Sequence, residues 1–282
     1  MLAVVLALGS SLAWGLSDFV GGLQSRRQAL LTVLWVSQGS ALLVILAAAA
    51  GGAPTEHDAA ATAWAAGAGL FGLAGLAAFY RALSIGTMSI VAPLSATGTV
   101  IPVLVGLASG ERPGLLQGAG IALAACGVVL AAREPPAEDR RVRRDSRRPI
   151  LLALVAAVGF GSFFAGVDRA EESADVVWVL LMARLPDVLI LTALVLVRRP
   201  PMPSGRGPLG ALLLIGAFDL LANLLFTLAA GTGLLSVVGV LGSLYPAVTV
   251  VLARTLLHEK PTRVQDAGVL VTLAGVAAIA AG

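Results

Sequence analysis

Long apolar stretches recur along the whole chain and are separated by short polar connections. A transmembrane helix needs about 20 predominantly apolar residues. Segments of this kind can be drawn at 2–21, 29–50, 60–83, 88–109, 114–132, 149–167, 175–197, 208–229, 233–256 and 262–281. The pattern therefore predicts an all-α integral membrane protein with ten transmembrane helices. Because no basic residues precede the first segment, we expect it to be a retained helix and not a cleaved signal.

The segments on either side of the Arg-rich connection REPPAEDRRVRRDSRRP resemble each other in sequence. GTMSIVAPLSATGT corresponds to GLLSVVGVLGSLYP, and QGAGIALAACGV corresponds to QDAGVLVTLAGV, in the same order. Ordered matches of this kind indicate an internal repeat. Each half has five predicted helices, an odd number, so the second half would enter the membrane from the opposite side. We therefore predict two inverted five-helix repeats, an architecture of many secondary transporters, at 1–132 and 149–282, with a linker loop at 133–148.

The composition favours a bilayer environment and excludes several classes of function. Hydrophobic residues make up 58% of the chain and charged residues only 12%, whereas soluble domains carry about 25% charged residues. No GxxxxGK[ST] loop is present, which argues against an ATP-driven pump in a single chain. The single cysteine, Cys126, leaves no internal disulfide or Cys-cluster metal site. Since His57 and His258 fall in separate predicted loops, we expect no metal and no cofactor.

Basic residues are distributed unevenly between the two sides of the predicted bundle. Fifteen of the nineteen Lys and Arg residues fall in alternate connections that include the linker, and only Arg112 and Arg169 fall in the others. The positive-inside rule then predicts a multi-pass protein of the cell (plasma) membrane, with loop 133–148 in the cytoplasm and both termini outside. In a membrane protein such clusters indicate orientation, so no nucleic-acid partner is expected.

Several short motifs occur in a specific order along the chain: Trp14-Gly15, SIVAPLSATGT followed by GER, SVVGVLGSLYP followed by HEK, and the closing helices LAACGVVLAA and LAGVAAIAAG. In these motifs the chain resembles the EamA-like exporters of the drug/metabolite transporter superfamily. The resemblance implies ten helices that move small metabolites or drugs, usually outward, without ATP. An arginine in the second or seventh helix is common in such proteins. Arg184 matches this position in the second half, and Gln38 replaces it in the first.

The stretch WVLLMARLPDVLILTALVLV places Arg184, Pro186 and Asp187 inside a predicted membrane helix. A charge at the bilayer centre costs about 2.5–3.5 kcal/mol on insertion scales, so a specific role is expected. Arg184 and Asp187 are three residues apart and can pair on one helix face. The pair either holds the helix against its neighbours or lines a cavity in which Arg184 meets an anionic or carboxylate-bearing substrate.

Two further carboxylates lie in predicted helices. Asp219, one turn from Asn223, is either a proton-coupling site, because desolvation disfavours a charged carboxylate, or the counter-ion of Arg184 from the next helix. Asp18, on the same face as Trp14, is either an interfacial carboxylate that snorkels to the membrane surface or a cation- or proton-binding group at the cavity wall. The proton-coupling candidates are Asp18, Asp187 and Asp219.

Polar and aromatic residues of the predicted helices supply candidates for the substrate cavity. The set is Trp14, Ser17, Gln38, Tyr80, Thr99, Phe160, Arg184, Asn223, Ser243 and Tyr245. Proline removes a backbone donor and allows a helix to bend, so hinges are expected at Pro93, Pro102, Pro186 and Pro246. Glu111 and Glu259 follow the fourth and ninth segments and are interpreted as helix-end residues that fix the loops.

These features predict a secondary transporter, an exporter of small metabolites or drugs that works by alternating access, with proton coupling left open. A non-transporting membrane scaffold or sensor is one alternative, but it would not need the intramembrane charges. An intramembrane enzyme is another, but the sequence offers no evident nucleophile with its base. The expected partners are the lipid bilayer and a small-molecule substrate. Small-xxx-small glycine spacing fits packing within a monomer or in a homodimer.

Overall fold

The computed structural model describes residues 2–101, 114–131, 147–232, 241–242 and 244–281. Within these residues the chain is helical. The helices are α1 (Leu2–Ser25), α2 (Leu30–Ala50), α3 (Ala59–Ile85), α4 (Met88–Ser95), α5 (Leu115–Ala131), α6 (Arg147–Glu171), α7 (Val176–Arg198), α8 (Arg206–Thr232), α9 (Tyr245–Leu256) and α10 (Arg263–Ala281). No β-strand occurs in the described ranges, so the all-helical class is confirmed.

Six of these helices, α1, α2, α3, α6, α7 and α8, are long and apolar enough to cross a bilayer. Helices α4, α5 and α9 are shorter apolar helices. Large apolar side chains remain exposed on the outside of the bundle, among them Leu43 in α2, Leu70 in α3 and Leu196 in α7. Such a surface suits hydrocarbon, in which the backbone polar groups must be satisfied inside each helix. A multi-pass membrane protein is therefore confirmed, and the further crossings stay a prediction.

Glycines let the central helices approach one another closely. Helix α1 packs against α8, α2 against α7, α3 against both α6 and α7, and α5 against α10. At Gly69 in α3, a Cβ atom would overlap the backbone of Ala183 in α7, and at Gly216 in α8 it would overlap the backbone carbonyl of Ser37 in α2. Small residues allow this kind of close backbone contact in membranes. Helices α2, α3, α7 and α8 therefore meet around one central region.

At one end of the bundle, a glutamate joins the beginning of α4 to the connection before α10. The Glu259 carboxylate accepts hydrogen bonds from the backbone N–H groups of Met88 and Ser89, at 2.9 and 2.8 Å. The first N–H groups of a helix have no intrahelical partner, and Glu259 satisfies two of them. The Arg26 guanidinium lies 3.5 Å from the same carboxylate. Glu259 is thus a helix-end residue as expected, and Glu111 lies outside the described residues.

At the opposite end, the connection between α2 and α3 is fixed to the start of α7. The backbone N–H of Glu56 donates to Asp175 Oδ2 at 2.7 Å, and the Asp175 N–H donates to the Glu56 carbonyl at 2.8 Å. His57 forms an isolated antiparallel bridge with Ala174. The His57 ring stacks on Trp178 with centroids 3.5 Å apart. Both ends of the bundle therefore contain contacts between residues that precede and follow the linker.

The proline positions have different local structures. Pro93 lies inside α4, which passes into a 3₁₀ turn at Ala96–Thr99. Pro186 lies inside α7, which stays helical from Val176 to Arg198. Pro246 falls in the first turn of α9, a position where its missing N–H costs no helical bond. Helix α9 therefore begins next to Pro246. The sequence pattern instead predicted a single helix over 233–256 with a bend at this proline. Pro102 lies outside the described residues.

The glycine contact between α3 and α7 predicts a position-specific loss of stability. Alanine at Gly69 would overlap the Ala183 backbone, whereas Gly67, two residues earlier in α3, has nothing within 4 Å of an added Cβ. We expect Gly69→Ala to lower the free energy of unfolding relative to Gly67→Ala by about 1–3 kcal/mol, because overpacking costs this much. Both variants gain the same helix propensity. The difference between their free energies of unfolding, measured by chemical unfolding in mixed micelles, therefore reports the contact with Ala183 alone. Equal stabilities would contradict this packing.

Candidate functional site

A cavity of about 100 Å³ lies in the middle of the bundle and is lined by α1, α2, α3, α6, α7, α8 and the first residue of α9. Its wall includes all three carboxylates proposed from the sequence and most of the proposed polar and aromatic candidates. Those present in the wall are Trp14, Asp18, Gln38, Phe160, Arg184, Asp187, Asp219, Asn223 and Tyr245. Residues that are distant in sequence thus meet in one place.

Arg184 connects three helices at this cavity. Its guanidinium donates to Gln38 Oε1 in α2 and to Asp219 Oδ2 in α8. The side chain of Arg184 is 11% exposed and that of Asp219 is 26% exposed. Hydrogen bonds between ionised groups are the strong ones, and this pair neutralises the guanidinium inside the bundle. Asp219 is therefore the counter-ion of Arg184, one of the two roles considered for it.

Asp187 does not form the ion pair with Arg184 that their spacing in α7 suggested. The Arg184 guanidinium extends across to α8, because α7 and α8 both pack against α2 and this brings Asp219 within reach. Asp187 is only 4% exposed, and its Oδ1 has no hydrogen-bond partner. The carboxylate lies in the cavity wall. An unpaired polar atom at this depth is costly to bury, which marks Asp187 as a group that needs a partner.

Asp18 lies inside α1 and not at the membrane surface. The sequence placed the end of the first helix near residue 21, but α1 continues to Ser25. Seven residues, roughly 10 Å of helix, therefore separate Asp18 from that end. Asp18 is 9% exposed and lines the cavity, so the snorkelling interpretation is wrong. Asp219 lines the same cavity.

Part of the cavity wall is aromatic, and of its three α6 rings the sequence analysis identified only Phe160. Phe160, Phe163 and Phe164 of α6 contribute to the wall. Phe163 and Phe164 contact each other in a T-shaped arrangement with centroids 5.5 Å apart. Gly72 of α3 leaves space for this wall, since a Cβ there would lie 2.9 Å from Phe163. The spacing of FGSFF places the three rings on one helix face, a signal that could have revealed them.

A second aromatic group joins α1 to α8 and α9. The Trp14 ring lies 5.6 Å from that of Phe226 and 6.0 Å from that of Tyr245, measured between centroids. Such tilted and edge-to-face contacts are favourable for aromatic pairs. They hold Trp14 and Tyr245 in the cavity wall, as the sequence predicted.

Two predicted cavity residues do not line the cavity. The Ser17 hydroxyl donates to the Ile215 carbonyl of α8 at 3.0 Å, and Tyr80 is 2% exposed and packed against Gly21 of α1. Both side chains lie between packed helices, where they serve helix association. The backbone of Thr99 lies in the 3₁₀ turn after α4, but its side chain and Ser243 lie outside the described residues.

The contact between Arg184 and Asp219 predicts strong non-additivity. Removing one charge leaves the other buried without its partner, and this is more costly than removing both. We expect Arg184→Gln and Asp219→Asn to lower the free energy of unfolding individually, and the double variant to recover about 1–3 kcal/mol of the summed loss. A double-mutant cycle in mixed micelles measures this coupling. The exposed pair Arg254 and Asp266 is the matched control, and we expect it to couple far less. Additive effects at the central pair would contradict the proposed interaction.

Comparison with known proteins agrees with this architecture. No curated protein matches the chain. One solved structure, titled only as the crystal structure of a protein, matches it with a TM-score of 0.59 and 19% sequence identity. The alignment covers 98% of this chain and 96% of that chain. At this identity the likeness shows the fold alone.

A direct match to a protein family adds to the evidence from the motifs and the fold. The EamA-like transporter family matches residues 1–133 and 147–281, which is nearly the whole chain. The resemblance drawn from the short motifs is therefore confirmed, and this chain belongs to the EamA-like transporter family.

Proposed function

We propose that this protein is a secondary transporter that moves small metabolites or drugs across the cell membrane by alternating access. Family membership supports the transport of small molecules. The observation that carries the proposal is the central cavity, because its wall contains Arg184, Asp187 and Asp219. Ionisable residues at this depth are expensive to insert and are a hallmark of substrate and ion pathways. The cavity is the proposed substrate site.

Two inverted repeats, at 1–132 and 149–282, are the proposed basis of the alternating movement. Shifting the numbering by about half the chain converts the contact of α1 with α8 into that of α6 with α3, and both contacts are present. The shift also relates two close approaches, Gly69 with Ala183 and Gly216 with Ser37. Matching interfaces of this kind support a pseudo-twofold relation between the halves and ten crossings in total.

The pseudo-twofold axis that would relate the two proposed repeats would pass through the cavity. Gln38 and Arg184 are 146 residues apart, close to the repeat offset, and they contact each other directly. Equivalent positions of two repeats can touch only near the axis that relates them. Transporters built from inverted repeats bind substrate and coupling ions at this interface near the middle of the membrane. The direct contact therefore favours a substrate site shared by both halves.

The polar contacts at the two ends of the bundle are the proposed gates. One gate consists of Arg26, Glu259 and the start of α4, and the other of the bridge between His57 and Ala174. Opening one gate while the other stays closed would expose the cavity to one side at a time. With the Arg-rich loop 133–148 in the cytoplasm, as the positive-inside rule favours, the gate at Glu259 faces the cytoplasm and the gate at His57 faces outward. Export then loads through the former and releases through the latter.

Proton coupling, where it operates, would use the carboxylates that are not already in an ion pair. Asp219 is engaged with Arg184, so a proton exchanged there would have to compete with the guanidinium. Asp187 and Asp18 line the same cavity and could exchange a proton without breaking that pair. Asp187, with its unpartnered Oδ1, is the proposed coupling residue.

A reversible lock at the outer gate tests the transport mechanism. Antiparallel neighbours such as His57 and Ala174 have Cα atoms about 4.5–5.5 Å apart, within the range of a disulfide. We expect His57→Cys with Ala174→Cys, in a Cys126→Ala background, to stop flux when oxidised and to restore it when reduced. Proteoliposomes loaded with a mixed metabolite pool, with efflux read by mass spectrometry, provide the measurement. Each single-cysteine variant is the control.

Either of two results would contradict alternating access through this gate. One is undiminished flux after complete cross-linking, as judged by mass analysis of the intact protein. The other is the absence of protein-dependent flux for every solute in the pool, which would instead favour a scaffold or sensor.

From the buried Asp187, whose Oδ1 has no hydrogen-bond partner, we predict how transport responds to pH. With acid outside the vesicle, an antiporter should accelerate efflux, because protons moving inward drive the substrate outward. We expect Asp187→Asn to remove most of this acceleration, which is read as a ratio within each variant and so does not depend on its basal flux. The measurement is the ratio of efflux rates with and without an imposed pH gradient. The exposed carboxylate variant Glu172→Gln, at a surface ion pair, should respond like the parent protein. Acceleration retained in Asp187→Asn would reject Asp187 as the coupling residue.

A further inference from the structure

Carboxyl groups outnumber cationic groups in the described part of the cavity wall. Among the described lining residues, the carboxylates are Asp18, Asp187 and Asp219, and the only cation is Arg184. Arg184 is already bound to Asp219 and to Gln38. The guanidinium keeps further N–H donors, but Asp219 already neutralises its charge, and an anionic substrate beside it would face the carboxyl groups of Asp18, Asp187 and Asp219 in the same wall. The arrangement therefore disfavours the anion-binding role that the sequence suggested for Arg184.

Asp187 independently indicates which kind of chemical group the cavity would bind. It is 96% buried in the wall of the cavity, since its relative exposure is 4%, and Oδ1 has no hydrogen-bond partner. Asp18 adds a second carboxylate, 9% exposed, in the same wall. Buried carboxylates require a cationic or hydrogen-bonding partner. An ammonium group entering the cavity would provide one.

The part of the wall that α3 and α6 contribute has different chemistry from the part that α1 and α8 contribute, although the two parts use corresponding positions of the proposed repeats. Under the offset of 146 residues, Asp18 corresponds to Phe164, and under 147 residues Asn223 corresponds to Leu76. Helices α1 and α8 therefore contribute polar groups where α6 and α3 contribute apolar ones. The rings of α6 lie in the wall beside the carboxylates. Aromatic faces attract cations and bury apolar groups, so this wall suits the body of the same molecule.

We propose that the cavity binds a small organic cation with its ammonium group between Asp18 and Asp187 and its apolar body against Phe160, Phe163 and Phe164. The cavity, at about 100 Å³, is smaller than the roughly 300–1,000 Å³ of sites for drug-sized molecules. A single ring or a short alkyl chain attached to one ammonium group fits this size. The proposal rests on the cavity being the substrate site of the proposed transporter and specifies the substrate class.

The test compares three molecules of similar shape and different charge. Benzylammonium, the protonated form of benzylamine, is cationic at neutral pH and carries N–H donors, phenylacetate is anionic and benzyl alcohol is neutral. Binding to the purified full-length protein in non-ionic detergent is measured by equilibrium dialysis. We expect saturable binding of the cation, at least about tenfold tighter than that of either counterpart, as loss of a charge-assisted contact predicts.

Variants assign the binding to the cavity. Asp187→Asn should weaken binding of the cation by about tenfold or more, and Phe163→Ala should weaken it about threefold to tenfold through the lost ring contact. The exposed Glu172→Gln variant should leave the affinity unchanged. Asp18→Asn is the second carboxylate variant if Asp187→Asn does not fold. Binding of phenylacetate equal to or tighter than that of the cation, no saturable cation binding, or an unchanged affinity in both folded carboxylate variants would overturn the proposal.

The same compounds in proteoliposomes separate this proposal from the transport function. Saturable cation binding without flux of any solute would retain the site and overturn the transporter proposal. Protein-dependent flux of solutes from a metabolite pool, without binding of the cation, would overturn the cation site and retain the transporter proposal.

Discussion

The central ion pair between Arg184 and Asp219 is the interaction on which the middle of the structure depends. Hydrocarbon offers neither charge a partner, so each must be satisfied by protein. Together with Gln38, the pair ties α7 to α8 and α2. The geometry is possible because glycines let the backbones approach closely, as at Gly216 against Ser37. Packing and electrostatics therefore depend on each other: the small residues bring the charges together, and the charges hold the small-residue interfaces in register.

Around this pair, similar scaffolding carries different chemistry. Helix α1 packs against α8 and α3 packs against α6, yet the cavity residues that these helices contribute differ. Helices α1 and α8 contribute carboxyl groups and an amide, and α6 contributes phenylalanine rings. In the proposed inverted repeat, the repeated backbone would supply the movement, whereas substrate choice would depend on the few side chains that differ between the halves. The 19% identity to a solved structure with the same fold fits this division, since a fold places few demands on cavity side chains.

The contacts at the two ends are polar, whereas the core between them is largely apolar. Glu259 satisfies the first N–H groups of α4, and Asp175 satisfies the N–H of Glu56. Water can replace such hydrogen bonds at a membrane surface at little net cost, but it cannot do so for the pair at the centre. The ends are therefore the places where contacts can be exchanged, while the centre stays a closed network whose remaining unsatisfied group is Asp187 Oδ1 among the described cavity residues.

The sequence by itself determined the long membrane helices, because apolar length is a local property: the predicted 29–50 and 175–197 became Leu30–Ala50 and Val176–Arg198. It also identified Arg184, Asp187 and Asp219 as unusual, since the cost of a charge in hydrocarbon does not depend on its neighbours. Only the tertiary structure decided which groups meet. Spacing along α7 suggested Asp187 as the partner of Arg184, but helix packing provided Asp219. The rotation of each helix about its own axis, which hydropathy does not encode, placed Tyr80 in a packed interface and Phe163 in the cavity.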